Sequence, residues 1–247
     1  MKTTKLILSR LASCILLLFL VGTITSCGTK SQKETEHNEE TEQHEGGGEA
    51  DHKMKSEEGH HDNAPEEDAS ESMMWMPGDQ PFTGMLKLVQ GDEAKLTPSI
   101  TSGNDGSKVL NLTLTGNKTI LLFDGVFDNV GANLQFKTED FRGEVALVHH
   151  YTDASNYDYV SISNSAMQLG RMENGKNNVL NKEDKKMPLD WATLSVSSAG
   201  EHYKGLLNEK QVNHGHGDVR AAGQVGVLLN GKGKVMLKML DVMKLSE

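Results

Sequence analysis

The chain has 247 residues, 36% of them hydrophobic and 5% aromatic, with a formal net charge of −10. Residues 31–72 hold 15 acidic and 3 basic side chains, and residues 1–30 hold four basic and no acidic ones, which leaves the remaining 175 residues near −2. The acidity is therefore local; it disfavours nucleic acid as a partner, and the two cysteines, Cys14 and Cys27, leave no disulfide for the rest of the chain.

Residues 1–26 read as a secretory leader. Lys2, Lys5 and Arg10 precede an apolar run over 11–21, too short and wrongly flanked for an ordinary spanning helix. Ile24, Thr25, Ser26 and Cys27 resemble a bacterial lipobox. That resemblance implies cleavage before Cys27 and acylation of its thiol. The lipid bilayer is then a partner, and the protein is expected in the bacterial cell envelope, anchored to the outer membrane or cell surface. Each methylene of an acyl chain contributes about 0.8 kcal/mol of burial.

Residues 27–72 carry almost no aliphatic or aromatic side chains, so the sequence predicts a disordered, self-repelling tether. Five of the ten histidines lie in it, at 37, 44, 52, 60 and 61, interleaved with carboxylates. Imidazole and carboxylate suit zinc, nickel or copper(II), and the thioethers of Met73, Met74 and Met76 suit copper(I). Metal handling is one reading of the tether; a solvated acidic linker is the other. The cluster from Met73 to Pro77 reads as the apolar start of the fold.

Residues 73–247 read as short strands between turn signals, with no sustained 3.6-residue period. Strands are expected at 83–89, 109–115 and 119–123, with 92–97 ambiguous and Gly116-Asn117 as a turn. Three consecutive strands are expected within 132–163, the last two joined by a turn at 152–155. Further strands fall at 167–171, 178–180, 191–196, 203–207, 211–214, 223–229 and 234–245, with a loop at 214–218. This pattern indicates an all-β sandwich or barrel.

Four segments carry a family likeness: residues 144–160, 191–196, 203–208 and 223–242. The first has a strand ending in His149-His150 and an Asn156-Tyr157-Asp158-Tyr159-Val160 strand returning. The third resembles a strand followed by an Asn-Gly turn, with Glu209 standing where Gly is usual. Together, over about 115 of the 247 residues, they resemble the concanavalin A-like jelly-roll family, nearest the laminin G-like and 3-keto-disaccharide hydrolase-like branches. The resemblance implies an antiparallel jelly-roll β-sandwich. The family spans lectins, glycanases and structural modules, so fold does not settle activity. None of the expected strands in 73–247 carries the Glu-x-Asp-x-(x)-Glu run that some glucanases in this superfamily place on a strand, which weakens a paired-carboxylate glycosidase.

Strand parity locates a candidate ligand-binding face. In a hairpin closed by 152–155, His150 lies opposite Tyr157 and Val148 opposite Tyr159; Gln135 and Lys137 share that face if the preceding strand is adjacent. Tyrosine faces stack on sugar rings, and His, Gln and Lys bind hydroxyls, so Gln135, Lys137, His150, Tyr157 and Tyr159 form the expected glycan- or ligand-binding set. A solvated sheet face with tyrosines as good strand formers is the plain alternative. His149 falls on the core-facing parity, and His202 reads as a surface strand residue. His214, His216 and Asp218 could hold a divalent metal, better zinc or copper than calcium. No other cofactor is expected, and neither a nucleophile elbow nor a phosphate-cradling loop is present. The leading expectation is a lipid-anchored jelly-roll module that binds glycan or another ligand; the alternatives are a glycoside-cleaving enzyme of the 3-keto-disaccharide hydrolase-like type and metal binding through the tether.

Overall fold

A computed structural model describes residues 72–246 except Thr83 and Asn104. The readings of the leader, of Cys27 and of the tether up to residue 71 lie outside the described residues. Ser72 and the Met-rich cluster after it open the fold: Ser72–Trp75 (β1) pairs with the end of the chain, and Trp75 is buried in the core.

The remaining elements are Leu86–Gln90 (β2), Glu93–Leu96 (α1), Ser99–Ser102 (β3), Lys108–Phe123 (β4), Val130–Asp153 (β5), Asn156–Ser163 (β6), Met167–Glu173 (β7), Lys176–Glu183 (β8), Ala192–Ala199 (β9), His202–Leu207 (β10), Lys210–His216 (β11) and Gln224–Lys244 (β12). The ambiguous segment at 92–97 is a single helical turn, capped by the Asp92 carboxylate accepting from the Ala94 amide at 3.1 Å.

Three strands organise the molecule. β4, β5 and β12 run for 16, 24 and 21 residues and lie side by side, with β12 in the middle. Each spans two stretches that the sequence separates by turn residues. The expected strands at 109–115 and 119–123 are one strand, as are the first two within 132–163 and the last two of the chain. Gly116, Gly143, Gly231 and Gly233 mark bends in the strands instead of reversals. Gly143 pairs with Gly231 across β5 and β12. A Cβ on Gly143 would lie 2.2 Å from the Asn230 carbonyl oxygen, and one on Gly231 would lie 2.4 Å from that of Arg142. Only glycine lets the two backbones pass there.

The bends fold one sheet into two layers. In the first layer β11, β10 and β9 continue onto residues 130–136 of β5 and the C-terminal half of β12. In the second, β8, β7 and β6 continue onto residues 144–149 of β5, the N-terminal half of β12, the end of β4 and β2. All pairings are antiparallel, so the expected all-β antiparallel jelly-roll sandwich is the observed fold. Between the layers lies a core that includes Phe123, Phe136, Leu134, Leu147, Ile162 and Tyr203. Each such side chain contributes about 1.5–3 kcal/mol when removed from water. Gly205 of β10 brings the layers into contact: a Cβ there would meet Val160 and Met167 of the facing layer at 3.0 and 3.2 Å.

Candidate functional site

The face of the second layer that turns away from the core carries a smaller cluster: Ile120, Leu122, Ala146, Val148, Leu228 and the two tyrosines of β6. The register lays these out in rows across the strands. Ile120, Leu228, Ala146, Ser161 and Gln168 form one row; Lys118, Asn230 and Glu144 form the next. Above them is a hollow of about 290 Å³. Its floor is Ala146 and Leu228, one wall is Tyr157, Tyr159 and Met172, and its polar groups are Lys118, Glu144, Gln168, Asn177 and Asn230.

Tyr157 and Tyr159 keep the outward parity expected of them, but they are only 3% and 6% exposed. Their ring faces are used within the protein. Tyr157 stacks on Tyr151 with centroids 5.9 Å apart, and Lys118 Nζ donates to its hydroxyl at 2.9 Å while sitting over the ring. Tyr159 lies across β7 above Gly170, where a Cβ would come within 2.5 Å of its hydroxyl, and donates to Asn177 Oδ1 on β8 at 2.8 Å. A ligand therefore meets ring edges, hydroxyls and the surrounding amides, rather than the open stacking platform that alternation suggests. Burial raises the pKa of both phenols, with the Glu144 charge adding to it, so both stay protonated donors at neutral pH. Burial also lowers the pKa of Lys118, partly opposed by Glu144.

The other three residues of the expected set lie elsewhere. Gln135 and Lys137 are on the part of β5 before its bend, beside β9, while β6 pairs with the part after it. Lys137 forms an ion pair with Asp190 at 3.0 Å. Expecting one shared face treated 132–163 as neighbouring strands; a bent strand carries its two halves into different layers.

His150 is not on the open face. The β5–β6 pairing loses register after His149, and His150 takes a left-handed backbone, φ 48°, which turns its ring inward. It is 4% exposed, with Nε2 2.7 Å from the Asp128 carbonyl oxygen and Nδ1 2.8 Å from His149 Nδ1. A carbonyl only accepts, so His150 Nε2 carries a proton. His149 is core-facing, as its parity implies, and fully buried. Desolvation, then the His150 and Arg171 charges, hold its pKa well below the usual imidazole value. A neutral His149 that donates from Nδ1 has an unprotonated Nε2, the very atom that has no hydrogen-bond partner.

These histidines border a buried ion pair. Asp158, 1% exposed, accepts from Arg171 Nε and Nη2 at 2.8 and 3.0 Å. Arg171 Nη2 also donates to the Tyr203 hydroxyl and the Asp218 carbonyl oxygen, both at 3.1 Å. His149, His150 and Asp158 approach one another closely enough to suggest a metal, but the guanidinium already occupies the carboxylate, and its charge repels a cation. The cluster is structural.

Asp218 therefore serves this network through its backbone and does not join His214 and His216. Those two lie on β11, which continues through the expected loop as far as His216, and their third neighbour is His202 of β10.

The residues that sequence reading passes over are Lys118, Glu144, Gln168, Met172, Asn177 and Asn230. Each is an ordinary polar or flexible residue at a strand position. The signal for Glu144 is its place one residue before Val145 on a strand already suspected of carrying the site. Lys118 and Asn230 sit at the bends, which read as turns in one dimension.

No protein-family model matches the chain, and no curated protein matches it significantly. Solved structures do. A carbohydrate-binding module, CBM66 from Bacillus subtilis, aligns at 18% identity and TM-score 0.51 over 64% of this chain and 99% of that one. A Bacillus licheniformis β-glucanase aligns at 12% identity and TM-score 0.50 over 71% and 98%. A GH43 protein from Bacillus licheniformis aligns at 13% identity and TM-score 0.52 over 68% of this chain and 38% of that one. The fold is a concanavalin A-like jelly-roll sandwich, and its structural neighbours include a carbohydrate-binding module and glycoside hydrolases.

Proposed function

We propose that the protein is an envelope lipoprotein whose jelly-roll domain binds a neutral glycan in the hollow beside Tyr157 and Tyr159. The observation that carries this reading is the composition of that hollow. Fixed phenol hydroxyls and the amides of Gln168, Asn177 and Asn230 surround an apolar floor, a combination suited to sugar hydroxyls above a hydrophobic ring face. Its volume of about 290 Å³ suits one or two sugar rings. Glu144 is the one carboxylate among the lining residues, whereas acid–base glycosidase chemistry uses two, so binding is better supported than cleavage. A carbohydrate-binding module among the structural neighbours agrees with this reading.

A glycan array probed with the full chain tests the reading. Binding that is lost in Gln168→Ala, at an unchanged unfolding temperature, and in Asn177→Ala, whose Tm falls only by the few degrees that the lost Tyr159 bond costs, supports it. A blank array, or binding indifferent to both substitutions, overturns it. The anchor rests on the basic start, the apolar run and Cys27. Mass spectrometry of the N-terminal peptide from envelope fractions should find Cys27 acylated, and Cys27→Ala should release the protein from the membrane.

A further inference from the structure

We propose that His202, His214 and His216 form a surface site for a divalent transition-metal ion of the zinc class. The strand geometry builds it. His202 of β10 pairs directly with His216 of β11, and His214 lies two residues along β11 on the same face. Along β11 the inward positions are Asn213 and Gly215, both buried, and the outward ones are His214 and His216, both exposed. Gly215 fixes this orientation, since a Cβ there would meet Leu169 Cδ2 at 2.8 Å, so the strand sits hard against the facing layer.

The three imidazoles already converge. Ring centroids are 4.6 Å apart for His202 and His216, 4.7 Å for His214 and His216, and 6.2 Å for His202 and His214. One nitrogen from each lies within 4.8 Å of the other two. A tetrahedral ion with Zn–N of about 2.0–2.1 Å needs its nitrogens about 3.4 Å apart. Small χ rotations of exposed side chains close that gap.

The donor set selects the ion. Three imidazoles suit zinc or copper(II) and not calcium, which takes oxygens. The fourth position faces solvent beside a second hollow, lined by Ser197, Ala199, Glu201, His202 and Lys204, so an ion here keeps an exchangeable water. The Glu201 charge favours a cation there, and Lys204, which pairs with His214, opposes it. Zinc is the ion we assign; copper(II) competes wherever it is available.

The test must separate this site from the five histidines of residues 27–72. Equilibrium dialysis of the full chain with those five changed to Gln should retain one tight equivalent of Zn²⁺. Adding His214→Gln or His202→Gln should weaken it by at least about 100-fold, since losing a ligand costs no less than losing an outer-shell partner, which costs about 10–100-fold. Co²⁺ should give the intense visible bands of a tetrahedral site, absent in His214→Gln, while Asp218→Asn changes nothing. No tight equivalent after the tether substitutions overturns the assignment. So does equal affinity in His202→Gln and His214→Gln proteins that unfold at the parent temperature, or a loss of binding in Asp218→Asn.

Discussion

Gly170→Ala is the sharpest test of how the hollow is built. A methyl on Gly170 would lie 2.5 Å from the Tyr159 hydroxyl, 2.6 Å from its Cζ and 2.9 Å from the Asn178 carbonyl oxygen. The backbone oxygen moves little, so the ring must swing away. That breaks the 2.8 Å bond to Asn177, with a net loss of about 1 kcal/mol. Overpacking adds roughly 1–3 kcal/mol. The expected destabilisation is about 2–4 kcal/mol, which for a domain of this size lowers Tm by about 4–16 °C. Thermal unfolding followed by circular dichroism reads it. The control is the same substitution beside Tyr159→Leu, which removes the ring; there Gly170→Ala should lose most of its effect. A Tm within about 1 °C of the parent, or an equal loss in both backgrounds, refutes the contact.

Other consequences follow from the same geometry. Asp158→Asn strands the buried Arg171 charge and should cost about 3–5 kcal/mol in urea unfolding, while Asp158→Asn with Arg171→Met should recover part of it; a double variant no better than the single one would contradict the pairing. All four tyrosines have raised pKa values, with burial the leading cause in each. Unfolded tyrosines release protons near pH 10. The folded state holds them longer, so stability should fall as pH rises through that value, and a spectroscopic titration showing a folded tyrosine ionised below it would be inconsistent with the structure. Asn208 and Glu209 both have positive φ, 50° and 66°, in the two-residue turn between β10 and β11. Glu209→Gly should therefore raise stability by about 0.5–1 kcal/mol, measured as a higher urea midpoint with unchanged slope.

The many short strands of 73–247 and the four likeness segments were enough to give the fold class, and the alternation in 132–163 was enough for the β5–β6 hairpin and the outward parity of Tyr157 and Tyr159. It could not show that Gly116, Gly143 and Gly231 bend strands instead of reversing them. A glycine beside polar residues has the same signature in a tight turn as in a close crossing, and only the partner strand distinguishes the two. Gln135 and Lys137 were misplaced for that reason. His150 was misplaced for another: alternation assumes an unbroken ladder, and its left-handed backbone inverts the parity from one residue to the next. The histidine triad was half legible, because His214-x-His216 is a sequence pattern whereas His202 joins it only through strand pairing.

Glycan binding in the hollow beside Tyr159 is read by titrating the full chain with an array-selected oligosaccharide and mapping amide chemical shifts. The shifts should concentrate on Glu144, Tyr159, Gln168, Asn177 and Asn230. Shifts centred on Gln135 and Lys137 instead, or none at saturating ligand, would contradict it.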